Sequence, residues 1–263
     1  MKAAPYFEQP AGRAAVMTVP VLGDNFSYLI VVEGLAAAVD PADAAPLIGL
    51  IKTRGLRLEM VLNTHHHFDH VAGNRELKAA TGCRIVGPDD SRIPGLDQPV
   101  KNGDRFSLGP LDIEVVSTPG HTRSHVCYFL PSGPALWSGD TLFTGGCGRL
   151  GDLGAEAMWE SLHRLMLFPD ETMVFCGHDY AVENLTFALE LEPSNEAVRR
   201  RLEEVRAMVR AGRPPAPSTL AAEKATNPFL RSGSPALRRT LGLAEASDVE
   251  VFAEIRRRKE AYA

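Results

Sequence analysis

The chain has 263 residues, 44% apolar and 23% charged, with a formal net charge of −5 at pH 7. At roughly 100–200 residues per domain, this length suits one large domain or two smaller ones with a full hydrophobic core, and no basic excess points to a nucleic-acid partner. No apolar run approaches bilayer-spanning length and the N-terminus lacks the apolar segment of a secretory signal, so a cytoplasmic monomer without membrane attachment is expected. Cys83, Cys127, Cys147 and Cys176 lie far apart without a C-x-x-C pair, which excludes a disulfide framework and predicts reduced thiols.

In chain order, β-rich runs come first: AAVMTVPVL (14–22), FSYLIVVEG (26–34) and LAAAVDP (35–41). Gly-Asp-Asn and Glu-Gly turn signals separate them, as in an antiparallel meander. An Asp near the start and a Gly after the end frame a helix over 42–55. LEMVLNT (58–64) reads as a buried strand, 70–82 as a helix closed by Gly82, and 83–88 as a strand. Further strands are predicted within 106–118, 125–133 and 134–140, a helix over 155–168, and a strand at TMVFCG (172–177). Beyond residue 178 the pattern turns helical over 183–193, 195–212, 218–225, 235–242 and 247–263. The Pro-rich GRPPAPS and the stretch TNPFLRSGSP interrupt it, and no strand alternation occurs. We expect an α/β domain over residues 1–178 and an all-helical domain over 179–263.

The stretch LNTHHHFDH (62–70) concentrates histidines where the strand at 58–64 gives way to a helix. Residues two apart in such a loop face the same way, so His65 and His67 can share one cation. Asp69 and His70, at the helix start, point elsewhere, while His66 and Phe68 project away. Three more candidates follow strands, each directly after a glycine: His121 in TPGHT, Asp140 in WSGDT and His178 in FCGHDY. Five histidines and two aspartates are too many for one tetrahedral ion, whereas two ions bridged by a carboxylate and a hydroxide would use them all. Imidazole and carboxylate without thiolate suit zinc, iron or manganese. His125 is expected to support a ligand through a hydrogen bond, and His163 to be an ordinary helix residue.

The ordered pattern H-x-H-x-D-H, His, Asp, His over residues 16–178 resembles the metallo-β-lactamase superfamily, an αββα sandwich. The resemblance implies His65, His67 and His121 on a first metal, Asp69, His70 and His178 on a second, and Asp140 bridging. It implies catalysis by Asp69 and Asp140 with a metal-bridging hydroxide, and two divalent ions, zinc before iron or manganese. VLGDNFSYLI, GDTLFTGGCGRLG, FCGHDYAVENLTFALELEP and AEKATNPFLR further resemble the glyoxalase II (hydroxyacylglutathione hydrolase) family, extending the similarity over essentially the whole chain. That family cleaves S-D-lactoylglutathione and other S-(2-hydroxyacyl)glutathiones to D-lactate, or the matching hydroxy acid, and glutathione in methylglyoxal detoxification. Carried over, it implies a small glutathione thioester as substrate, contacted by Arg149, Tyr180, Arg256 and Lys259. Gly151 departs from the pattern, standing where the family often has a glutathione-touching tyrosine. The alternative within the superfamily is a persulfide dioxygenase with a single iron and glutathione persulfide. Cys147 and Cys176 lie near the inferred site, but no free histidine remains to activate either as a nucleophile, and both read as packing residues.

Overall fold

The computed structural model describes residues 6–262; residues 1–5, part of the stretch read for a secretory signal, and Ala263, in the predicted last helix, lie outside the described residues. A first sheet runs in the order β1 (Phe7–Ala11), β2 (Ala14–Val21), β3 (Asn25–Val32), β4 (Leu35–Val39), β5 (Arg57–Leu62), β6 (Arg84–Pro88) and β7 (Gln98–Val100). Strands β2 to β4 form the expected antiparallel meander, β1 adds to it antiparallel, and β4 to β7 pair in parallel. The parallel connections carry α1 (Ala44–Arg54), α2 (Phe68–Val71) and α3 (Asn74–Thr81). Asp43 accepts from the Ala45 N–H at the start of α1, and Gly55 closes it in the left-handed conformation, as the sequence signals require.

The second sheet collects β8 (Arg105–Leu108), β9 (Leu111–Ser117), β10 (Val126–Leu130) and β11 (Ala135–Gly139). A small hairpin, β12 (Leu142–Phe143) with β13 (Gly146–Cys147), precedes α4 (Gly154–Leu165), and the chain then adds β14 (Met173–Cys176) parallel to β11. The remainder is α5 (Ala181–Leu191), α6 (Glu196–Arg210), β15 (Ser218–Thr219), α7 (Leu220–Thr226), a 3-10 turn at Pro228–Leu230, α8 (Pro235–Leu241) and α9 (Asp248–Glu260).

Both sheets are buried on two faces, which is why their strands read as near-continuous apolar runs. Val16, Tyr28 and Ile30 of the first sheet meet Ile113, Tyr128, Trp137 and Phe175 of the second between the layers. Their neighbours Met17, Leu29 and Val61 face outward onto Leu47 and Leu50 of α1 and Leu77 of α3. Phe129, Leu136 and Val174 face outward onto Met158 and Leu162 of α4, Leu237 of α8 and Phe252 of α9. The outcome is the αββα sandwich with helices of the C-terminal half completing one outer layer.

Several element expectations need correction. The helix predicted over 70–82 is two helices, because Gly73 packs its backbone on Pro41: its N–H donates to the Pro41 carbonyl at 2.8 Å, and a Cβ there would stand 2.8 Å from that oxygen. The run 106–118 is two antiparallel strands, β8 and β9. The edge strands β1 and β7 gave no alternation long enough to read. The C-terminal half is not all-helical, since β15 pairs antiparallel with β14, Met173 opposite Thr219 and Val174 opposite Ser218.

Candidate metal centre

The loops leaving the carboxyl ends of β4, β5, β9, β11 and β14 converge between the layers and deliver the site. His65 Nε2 and His121 Nε2 each stand 3.0 Å from His67 Nδ1, and Asp140 Oδ2 lies 3.4 Å from His121 Nε2. One donor atom from each of His65, His67, His121 and Asp140 falls within 4.8 Å of the other three. The same holds for Asp69, His70 and His178, where His178 Nε2 is 3.3 Å from both His70 Nε2 and Asp69 Oδ2. Asp140 reaches into both groups: Oδ1 is 3.4 Å from His70 Nε2 and Oδ2 3.4 Å from His178 Nε2. The structure thus brings the seven candidate residues together: His65, His67, His121 and Asp140 form one group and Asp69, His70 and His178 another, while Asp40 forms a third with His65 and His70.

These residues fit divalent ions on structural grounds. Three imidazole nitrogens directed at one point cannot all be satisfied by shared protons, and the buried Asp140 Oδ1 has no hydrogen-bond partner. The outward nitrogens are already spoken for. His121 Nδ1 lies 3.0 Å from the Arg149 carbonyl, which can only accept, so Nδ1 carries the proton and Nε2 presents its lone pair. His70 Nδ1 likewise faces Asp40 Oδ2 at 3.0 Å, and His178 Nδ1 faces Asp24 Oδ1 at 3.4 Å.

Electrostatics divide the site in two. Burial and the neighbouring imidazoles push His65 well below the usual histidine range and His67 to about 4, so both are neutral donors. On the other side burial also opposes charge, but Asp140 and Asp69 overcome it and raise His178 to about 10. His178, with Asn25, in turn holds the Asp69 carboxyl far below its ordinary value, against burial. Two carboxylates therefore demand positive charge where the second group of ligands converges.

The glycines before the ligands serve different ends. Gly139 adopts φ 48°, and a Cβ there would stand 2.4 Å from Thr64 Oγ1. Gly177 needs room instead: a Cβ would come within 2.3 Å of Asp140 Oδ1. Gly151, the departure noted in the sequence, donates its N–H to the Gly120 carbonyl at 2.7 Å, and a Cβ would press to 2.6 Å from the His121 carbonyl. The 149–154 loop is folded too tightly on the His121 loop for any side chain at 151.

Sequence reasoning missed Asp40, whose Oδ1 accepts from the Thr64 N–H and whose Oδ2 accepts from Thr64 Oγ1, fixing the base of the histidine loop. It also missed Asn25, which donates Nδ2 to Asp69 Oδ2 at 3.0 Å. His125 holds the supporting place expected: it stacks on His65 at 5.0 Å and accepts from the Asp140 N–H at Nε2. His66 stays outside both ligand groups, 3.4 Å from Asp90. His163 stacks on Trp159 in α4. Burial pushes the thiols of Cys147 to about 11 and Cys176 to about 12, so both are protonated and poor nucleophiles.

A cavity of about 560 Å³ opens from the candidate ligands toward the C-terminal helices, lined by Arg149 of the loop before α4 and by Tyr180, Arg256 and Lys259. Tyr180 stacks on His178 at 5.0 Å, and burial raises its phenol to about 12, leaving a hydrogen-bond donor. The two α9 cations are not left in solvent: Arg256 is 5% and Lys259 7% exposed. Arg256 donates Nη1 to the Cys147 carbonyl at 3.0 Å, and Lys259 pairs with Glu183.

With this geometry in place, the chain compares with known proteins as follows. The profile of the metallo-β-lactamase superfamily matches residues 21–178, and the profile described as hydroxyacylglutathione hydrolase C-terminus matches residues 179–262. The hydroxyacylglutathione hydrolase of Methylococcus capsulatus is 51% identical over 94% of this chain and 98% of its own. That of Rhodospirillum rubrum is 46% identical over 92% and 96%. Among solved structures, ETHE1 from Myxococcus xanthus superposes with TM-score 0.64 at 25% identity, covering 96% of this chain and 90% of that one. TTHA1623 in a di-iron-bound form gives TM-score 0.59 at 28% identity over 81% and 98%.

Proposed function

Because the chain belongs to the hydroxyacylglutathione hydrolase family, a metallo-β-lactamase domain continued by a helical segment, we propose that it hydrolyses S-(2-hydroxyacyl)glutathiones. S-D-lactoylglutathione would give D-lactate and glutathione, as in methylglyoxal detoxification. The observation that carries this reading is the single cavity joining the metal-type donors to Arg149, Arg256 and Lys259. One end suits a carbonyl under attack, and the other an anionic peptide.

In this reading His65, His67 and His121 would hold one ion, Asp69, His70 and His178 the other, and Asp140 would serve both. We assign zinc to them, although the same donors accept iron or manganese. The ions would supply Lewis acidity toward the thioester carbonyl and a nucleophilic water ionised near neutral pH. Everything else falls to the chain. Asp40, the Arg149 carbonyl and Asp24 fix which nitrogen of His70, His121 and His178 faces inward. Arg149, Arg256, Lys259 and the Tyr180 hydroxyl orient the glutathione end, so that remote binding positions the carbonyl. The leaving thiolate belongs to an acid with a pKa of about 8.5, and it departs without a strong general acid. That agrees with a site whose carboxylates are engaged as ligands. The relatives named as hydrolases, at 43–51% identity, favour hydrolysis over the persulfide dioxygenase alternative.

The deciding measurement is thioester hydrolysis by metal-counted protein, using S-D-lactoylglutathione, other glutathione thioesters and a lactone control. Release of glutathione with two ions per chain is expected. Oxygen consumption on glutathione persulfide with one iron, and no thioester cleavage, would overturn the reading.

A further inference from the structure

The cavity wall remote from the histidines carries carboxylates as well as cations, and these have no part in metal binding. Glu183 stands in the first turn of α5 and Glu260 at the end of α9, facing the same space as Arg149, Arg256 and Lys259. Lys259 is nearly buried and paired with Glu183, whose own side chain is 53% exposed. The Lys259 ammonium also sits over the rings of Phe187 and Tyr262, at 5.7 and 5.3 Å, which fixes it while leaving the carboxylate free to swing. The glutathionyl group has the complementary set of charges: two carboxylates and one free ammonium on its γ-glutamyl residue. A substrate carboxylate that takes Lys259 displaces Glu183, leaving a half-exposed carboxylate at the cavity edge with no cation.

We infer that Glu183 is a specificity residue that binds the γ-glutamyl ammonium by exchange of ion pairs. The Lys259–Glu183 pair opens, and each member takes the opposite charge of the substrate. This rests on the glutathione thioester reading above. The competing account gives Glu183 nothing beyond neutralising Lys259 and complementing the N-terminus of α5. It predicts indifference to whether the substrate's amino group is free.

Titration calorimetry on the metal-loaded full chain separates the two accounts, using S-hexylglutathione, which cannot be hydrolysed, and its N-acetyl derivative. Wild type is expected to bind the free amine about three- to tenfold more tightly, the range of a partly screened charge-assisted contact. In Glu183→Gln that ratio is expected to fall to about one. The ratio is the readout, because removing the carboxylate also frees Lys259 and shifts both affinities together. Equal affinities in wild type, or a ratio that survives Glu183→Gln, overturn the proposal while leaving the substrate class intact. Binding of neither compound overturns the substrate class and the proposal with it.

Discussion

Asp40 shows how much of a site can rest on one residue outside the cavity. It lies at the end of β4 with φ 46°, a conformation few non-glycine residues adopt, and it ties Thr64 and His70 together. Asp40→Asn keeps the shape but weakens the carboxylate–imidazole contact. We expect a 10- to 100-fold loss of affinity at the second metal position, about the usual cost of such changes, read by metal titration with the fold checked by circular dichroism. Asp140→Ala is expected to lower kcat by about 10³-fold or more and to reduce the bound ions below two, since Asp140 is the residue that reaches both groups. Near-normal turnover would show the ligand set to be wrong. The candidate ligands stood out because histidines are scarce, 8 in the chain, and half of them crowd into 65–70. Asp40 was not, being one of 33 acidic residues whose importance comes from a strand pairing that brings residue 40 beside residue 64. Gly177 was legible only as the neighbour of His178; its closeness to Asp140 is a contact that no local pattern carries.

Among the elements, the C-terminal helices are held by a buried polar knot. Glu192, at the end of α5, accepts from Arg231 Nε and Nη2 at 2.9 and 3.0 Å and from Ser234 Oγ at 2.9 Å, and Ser234 caps α8. Burial raises the Glu192 carboxyl, but the Arg231 and Ser234 hydrogen bonds prevail and bring it below its ordinary value. A depressed carboxylate contributes stability that is present above the unfolded value, near 4.3, and is lost as pH falls through the folded one. Glu192→Gln is therefore expected to cost about 2 kcal/mol at pH 7. Denaturant titrations from pH 7 to 3.5 should show the wild-type advantage shrinking once the pH drops below about 4.3; an advantage independent of pH would rule out the ionised pair. The long helices here were readable from periodicity, and the structure adds caps such as the Ser247–Glu250 box of α9. Strands of two or three residues were not, since a pair of residues such as Ser218 and Thr219 has no period to detect.

At the scale of the molecule, the site is a junction. Its candidate ligands come from loops after β5 of the first sheet and β9, β11 and β14 of the second, and its cavity is finished by α5 and α9. Ions bound there cross-link both sheets in the folded state and have no comparable site in the unfolded one. Chelation is expected to lower Tm by roughly 5–10 °C when free metal had been near 100 Kd, with far-ultraviolet dichroism unchanged at 25 °C. An unchanged Tm would mean that no ion occupies the junction. The two-layer architecture was legible through the resemblance that the ordered histidine and aspartate motifs carry, whereas the joining of the helical segment to it was not. Asn227 donates Nδ2 to the Phe143 and Gly146 carbonyls, and Glu223 accepts from the Gly145 N–H, contacts between residues some 80 positions apart. The smallest of these joints, β15, also sets where the second sheet ends. Without Ser218 and Thr219, β14 would end the second sheet with unpaired amides and carbonyls, a template for strand addition from another chain. With them the sheet ends instead in a two-residue strand, too short to offer much of a template, supplied by the same segment that shapes the cavity.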